Sequence, residues 1–378
     1  MASRSETLLL IADSERDANM LYAVGMFVAD PFVYLRVNNR PYVLLSDLEF
    51  DRARKQAPHC RVLSLSRYQD RLRRDGVRKI SLARVVREVL REKKLKKVLV
   101  PANFPHGLAR QLRDLKVKVK LKPGAFFPER EAKSADEVKK ISAALMMAEV
   151  GMAEAIHVLR NSKISKNGRL IHHDIPLTAE KLRAVINIAV IQAGGLAHNT
   201  IVACGRQACE PNETGCGVLR AHEPIVIDIF PRSQRTGYFG DITRTVVRGK
   251  AKEPIRKMFA TVQQGQHLAF KQVSHGVPAA KIHRAVQEYF EQQGYRTDRR
   301  KGLMRGFFHA AGHGLGLDIH EAPRLHSASE DVLRAGNVVT LEPGLYYPEL
   351  GGVRLEDVAL VKHNGARNLT KFEKSLEV

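Results

Sequence analysis

The chain has 378 residues, 44% of them hydrophobic, enough to bury a sizeable core in two domains or one large one. Its formal net charge is +22, from 62 Lys and Arg against 40 Asp and Glu. Apolar runs near the N-terminus, such as LLLIA at 8–12, are far too short for a bilayer span, so neither a membrane anchor nor a secretory leader is expected. The four cysteines show no paired spacing, which points to free thiols in a reducing, cytoplasmic compartment.

The first third reads as a small α/β domain. Strand-like runs TLLLIA (7–12), PFVYLRV (31–37), PYVLLS (41–46), KKVLVPA (96–102) and KVKVKL (116–121) alternate with helical patterns. In SLARVVREVLREKKL (81–95), Leu82, Val85, Val86, Val89 and Leu90 recur at helical spacing with basic residues between them. Residues 52–122 hold 23 Lys and Arg against 5 Asp and Glu, which is +18 of the +22. Such a stretch reads first as solvated helix faces. Without aromatic interleaving or a recognition motif, it predicts at most weak, nonspecific nucleic-acid binding through 52–122.

After KPGAFFPER (122–130) the texture changes, and the domain boundary is placed between 128 and 129. Ser134 and Glu137 form a capping box for a helix reaching about residue 160, with Val138, Ile141, Leu145 and Ala148 on one face. A second helix is predicted over 178–192 and two more within 253–293. Cys204, Cys209 and Cys216 cluster among the loops, but a fourth ligand for a zinc site is missing. Two strand pairs echo one another: PIVIDIF with GDITRTVV, and NVVTLEPGLYY with GGVRLEDVALV. The second domain is therefore expected to be α+β with two related halves.

That echo organises the acids. Asp228 lies inside an apolar strand and Asp241 opens the next, which sets them opposite one another on a hairpin. Glu342 and Glu356 interrupt the other pair, with Gly351 and Gly352 turning the chain between them. Four carboxylates converging on one pocket would be forced to take up protons unless cations neutralised them, and two divalent ions would do so. HAAGHGLGLDIHE (309–321) adds His309, His313 and His320. Its glycines argue against a helical zinc motif and place His313 on a loop aimed at the acids, leaving room for substrate, with His320 arriving from a strand LDIH. Two Asp, two Glu and one His make a hard donor set suited to manganese or ferrous iron, with cobalt or zinc possible. Two such ions about 3.5–4 Å apart hold a hydroxide and polarise a carbonyl, which is the chemistry of hydrolysis.

In order, Asp228 in VIDIF, Asp241 in GDITRT, His313 in GHGLGLDIHE, Glu342 in LEPGLYYP and Glu356 in GVRLEDV resemble the five metal ligands of the pita-bread (creatinase/aminopeptidase) metallopeptidases. This family includes methionine aminopeptidases, Xaa-Pro aminopeptidases and Xaa-Pro dipeptidases (prolidases). The resemblance covers about 134–378, and the N-terminal segment is similar to the smaller α/β domain of the proline-specific members. It implies that Asp228 chelates one ion, Asp241 and Glu356 bridge the pair, and His313 with Glu342 holds the other. Glu342 is also implied as general base, and His309 and His320 as histidines that bind substrate and stabilise the tetrahedral intermediate.

Arg354, two residues before the last ligand, resembles the proline-specific branch and is expected to pair with a nearby acid or a substrate carboxylate. One departure stands out. Where the family has Pro-His, this chain has Pro211 followed by Asn212, with His198 and His222 near in sequence, and the Asp228-to-Asp241 link is lengthened through PRSQRTG.

The expected protein is thus an α+β pita-bread domain (129–378) preceded by a creatinase/prolidase-type α/β domain (1–128). It would act as a dinuclear exopeptidase on Xaa-Pro peptide substrates, and as a homodimer by family resemblance. A same-fold aminopeptidase or amidohydrolase of other specificity is the alternative, as is a catalytically weakened binding protein using its basic lobe. A plain nucleic-acid-binding protein would leave all five ligands unexplained.

Overall fold

The N-terminal apolar runs pair into one six-stranded sheet of order β4-β3-β2-β1-β5-β6. In the computed structural model, which describes residues 6–378, the chain divides into two compact units, Met1–Arg130 and Glu131–Val378. In the first, β1 (Thr7–Ala12) runs antiparallel to β2 (Phe32–Val37), and β2 to β3 (Arg40–Leu45) across a tight turn in which Asn38 and Asn39 take positive φ. The pairs β3 with β4 (Arg61–Ser64), β1 with β5 (Lys97–Val100), and β5 with β6 (Lys118–Leu121) are parallel. The sheet is covered on both faces, as parallel pairing requires. Leu9, Val33 and Val98 pack against α3 (Leu65–Arg74), α4 (Leu82–Glu92) and α5 (His106–Asp114), while Leu8, Leu10 and Val43 pack against α1 (Ala18–Val24) and α2 (Asp47–Gln56).

The second unit opens on α6 (Ala135–Asn161), whose Ser134–Glu137 capping box is fully formed. Among the described residues only this helix has the length and hydropathy of a bilayer span; Val138, Ile141, Leu145 and Ala148 on it are buried, and it packs on α7 (Ala179–Gln192) as a core helix. This pair backs a three-stranded sheet, β7 (Ile201–Cys204), β8 (Ile225–Ile229) and β9 (Ile242–Val246). A second pair, α8 (Glu253–Gln272) and α9 (Ala279–Gln292), backs a sheet of order β11-β10-β12-β15-β16. Its strands are β10 (Gly312–Gly314), β11 (Glu321–Leu325), β12 (Val338–Leu341), β15 (Asp357–Val361) and β16 (Ala366–Asn368). Between β12 and β15 the chain forms the hairpin β13 (Gly344–Tyr347) and β14 (Gly351–Arg354). Two helix pairs on two antiparallel sheets are the related halves expected from the strand echo.

Three local expectations are corrected. Gly351 and Gly352 are not the turn; they lie in β14, opposite Tyr347 and Tyr346. A Cβ on Gly352 would come within 2.0 Å of the Ala208 carbonyl, so glycine is required by close backbone approach. LDIH is not a strand either: 316–320 form bends, and β11 begins at Glu321. Asp228 and Asp241 are not direct partners, since Asp228 pairs with Thr243 and Asp241 lies two residues away. Within the intervening link, Arg232–Ser233 form a short strand paired with Gly195–Leu196.

Candidate metal centre

Of the four acids, β8 supplies Asp228 and the position just before β9 supplies Asp241, both buried. The other two sit where a long hairpin is interrupted. Leu341 pairs with Asp357 and Gly344 with Arg354, so one register runs through the gap and places Glu342 opposite Glu356. β10 brings His313 alongside. A Cβ on Gly312 would lie 1.9 Å from the Thr340 carbonyl, and one on Gly314 2.2 Å from that of Ala322. The glycines therefore let three backbones close around His313.

The structure brings all five expected ligands to the lining of one cavity of about 870 Å³. Ligand atoms of Asp241, His313 and Glu356 lie within 4.8 Å of one another. His313 Nε2 is 3.3 Å from Glu342 Oε1 and 3.7 Å from Asp241 Oδ2. Because Nδ1 of His313 lies 3.1 Å from the Gly314 carbonyl, it must carry the proton, leaving the Nε2 lone pair aimed at carboxylate oxygens. Burial, then His320, pushes this imidazole down to about 3, so charge on His313 does not resolve the repulsion. Asp228 Oδ1 and Glu356 Oε1 are buried without a hydrogen-bond partner. A hard divalent cation answers each of these observations, and the donor set fits such an ion.

The same strain shows in the acids' proton affinities. Burial, then Glu356, Asp228 and Glu342, raises Asp241; burial, then Glu342 and Asp228, raises Glu356. Burial, opposed by Arg354 and reinforced by Asp228, lifts Glu342 to about 8 from its usual 4.5. A carboxyl whose folded pKa is raised contributes stability that is present below its unfolded pKa and is lost as pH rises through the folded one. The depressed imidazoles His309 and His313 oppose this only up to their unfolded value of 6.5. Between pH 6.5 and about 8 the carboxyl effect stands alone, so metal-free protein is expected to melt lower at pH 8 than at pH 6.5. Adding Mn(II) should abolish that difference; equal melting of the metal-free protein at both pH values would contradict the cluster's electrostatics.

Around the acids, Thr243 donates its hydroxyl to Glu356 Oε2 at 2.7 Å. Arg354 is buried and takes the nearby acid rather than standing free: Nη2 meets Asp228 Oδ2 at 2.7 Å, and Nη1 meets the Tyr346 hydroxyl at 3.1 Å and the Pro211 carbonyl at 3.2 Å. His309 is committed as well, with Nδ1 2.7 Å from the Ala310 carbonyl and Nε2 2.8 Å from the Tyr346 hydroxyl. Burial, then Arg354, keeps its ring neutral. His320 is exposed at the cavity wall, its ring 4.4 Å from that of His313. Asn212 is exposed and also lines the cavity, whereas His198 and His222 do not. Tyr346, Thr243 and the lining residue Arg324 were missed by sequence reasoning. Only Thr243 left a signal, as a polar residue within the run ITRTV.

This duplicated α+β scaffold with a buried carboxylate-histidine cluster defines a metal-dependent hydrolase. Residues 139–363 match metallopeptidase family M24, and the chain belongs to that family, whose members use divalent metals. Among its relatives, the Xaa-Pro dipeptidase of Pyrococcus furiosus is 36% identical over 181 residues, 48% of this chain and 49% of that protein. The match thus spans about half the length of that relative. The Xaa-Pro dipeptidase of Pyrococcus horikoshii is 29% identical over 288 residues, 75% of each chain. Among solved structures, X-Pro aminopeptidase from Thermotoga maritima superposes with a TM-score of 0.83 at 20% identity, covering 99% of this chain and 98% of that one. Prolidase from P. furiosus gives 0.78 at 23% identity over 98% and 97%. These likenesses cover both units and support a two-domain fold whose second unit is the pita-bread domain.

Proposed function

We propose that this protein is a metal-dependent exopeptidase hydrolysing an N-terminal peptide bond, with Xaa-Pro peptides as its substrates. The observation that carries the reading is the cluster itself: His313 Nε2 faces two carboxylates at 3.3 and 3.7 Å, with orphaned buried oxygens on Asp228 and Glu356. Asp228, Asp241, His313, Glu342 and Glu356 would hold two divalent ions, manganese before cobalt, iron or zinc. Such a pair polarises the scissile carbonyl and makes the attacking water more acidic. Glu342 takes the water's proton at its carboxylate. Arg354 fixes Asp228 and, through Tyr346, the neutral ring of His309, while exposed His320 and Asn212 meet the substrate from the cavity wall. Arg324, also on that wall, replaces Arg354 as the cation available to a substrate carboxylate. The Xaa-Pro names of the two Pyrococcus relatives support the specificity.

Asn212 can donate a hydrogen bond to a substrate carbonyl but cannot shuttle a proton near neutral pH. Asn212→His is therefore expected to raise kcat on an Xaa-Pro peptide, and His320→Ala to lower it sharply, by about 10²-fold or more if His320 supplies acid-base assistance. The test is a panel of matched Xaa-Pro and Xaa-Ala peptides assayed with Mn(II). Preference for Xaa-Ala, with Asn212→His destroying turnover at unchanged metal content, would replace this reading by the same-fold hydrolase of other specificity.

The basic N-terminal unit makes a second, weaker contact. Arg84, Arg87 and Arg91 stand exposed along α4, and Lys118 and Lys120 along edge strand β6. Binding to nucleic acid there would be through phosphates only, so it should be weak, sequence-independent and steeply reduced by salt. A complex that persists at high salt would contradict that account.

A further inference from the structure

Arg244 is the largest fully buried side chain among the described residues, in the middle of β9, where every neighbour is also buried. A buried guanidinium is costly unless its charge is balanced and its donors are used. Here all five N–H groups find acceptors. Nε donates to the Glu373 carbonyl at 2.9 Å, and Nη1 to the carbonyls of Thr243 at 2.9 Å and Glu356 at 2.6 Å. Nη2 donates to Asp357 Oδ1 at 2.9 Å and to the Phe372 carbonyl at 2.6 Å. Asp357, itself buried, balances the charge and gathers the same segment from the other side: its Oδ2 accepts from Asn368 Nδ2 at 2.8 Å and pairs with Lys374.

Two of those carbonyls belong to the residues that set one ligand's position. The Thr243 carbonyl also takes the Glu356 amide at 3.0 Å, and the Thr243 hydroxyl holds Glu356 Oε2 at 2.7 Å. Side chains alternate along a strand, so Arg244 projects away from the face on which Thr243 meets the Glu356 carboxylate. It touches no ligand carboxylate; it fixes the backbone that carries one. We infer that the C-terminal segment 368–374 is a working part of the metal centre's scaffold, clamped by Arg244 and Asp357 so that Glu356 keeps a single direction. This rests on the reading of Glu356 as a metal ligand. Arg244 is then a positioning residue. Lysine cannot replace it, because one ammonium cannot span four carbonyls and a carboxylate.

The test compares Arg244→Lys with Arg248→Lys in the full-length protein. Arg248 also ties down the chain's end, donating to the carbonyls of Ser162 and Val378, but bonds to neither β14 nor β15. Mn(II) binding to metal-stripped protein is measured by calorimetry, alongside melting temperature, kcat and KM. Arg244→Lys is expected to weaken Mn(II) affinity about 10- to 100-fold and lower kcat with KM unchanged, the size typical of groups that orient metal ligands. Arg248→Lys should lower the melting temperature and leave Mn(II) affinity as in the wild type. Folded Arg244→Lys that binds Mn(II) like the wild type overturns the inference. If Arg244→Lys does not fold, Asn368→Ala with Lys374→Met loosens Asp357 from the segment's side; weakened Mn(II) affinity then supports the inference and unchanged affinity overturns it. Wild-type protein that binds no Mn(II) sinks the metal reading underneath, a result distinct from failure of the clamp alone.

Discussion

Glu342→Gln is expected to lower kcat by about 10²- to 10⁴-fold through loss of the base alone, with the loss of a ligand added to it. Glutamine keeps the shape and the contacts around a side chain whose Oε1 lies 3.3 Å from His313 Nε2 and 3.4 Å from Thr340 Oγ1. It removes the negative charge and the ability to take a proton. Because Glu342 sits among raised carboxylates, the change should not destabilise the metal-free protein; removing one of several crowded acids relieves repulsion. Lost turnover with an undiminished metal-free melting temperature therefore separates a chemical role from damage to the fold. Lys94→Ala and Lys96→Ala, at exposed positions of the basic unit, should leave turnover unchanged. Glu342→Gln with more than half the wild-type turnover would remove Glu342 from the mechanism.

The cluster was legible in the sequence because each acid contradicts its surroundings. Asp228 in VIDIF and Glu342 in TLEPG interrupt apolar strands, and a carboxylate there needs a reason that burial cannot supply. What lay hidden depends on register. Glu342 faces Glu356 because one register, from Val338 with Leu360 to Tyr347 with Gly351, carries across the interruption, which no single strand reveals. The glycines around His313 also admit close backbones from residues 321–322 and 340, which the local sequence does not show, while Gly312 lines the cavity. LDIH has the alternation of a strand but forms bends, with Gly316 close against the Glu321 carboxylate. The roles of Tyr346 and Arg244 were invisible for the same reason: their partners come from other segments of the chain. In the first unit, α2 and β4 escaped notice because neither is strongly apolar, yet α2 provides the crossover that parallel pairing of β3 and β4 requires.

The most direct measurement strips the protein with EDTA, counts the ions it takes back by equilibrium dialysis against Mn(II), and follows Xaa-Pro hydrolysis on the same samples. Carboxylates dominate the site, and three buried acids and half-buried Glu342, with His313, have charge enough for two divalent cations and hardness enough to prefer manganese or cobalt. Magnesium keeps its waters and calcium asks for more oxygens than the site presents, so neither should restore activity as well. The account predicts no turnover after stripping, recovery with Mn(II) or Co(II), and about two Mn(II) per chain at saturation. Full activity in metal-free protein, or a saturated protein holding fewer than one ion per chain, would contradict it.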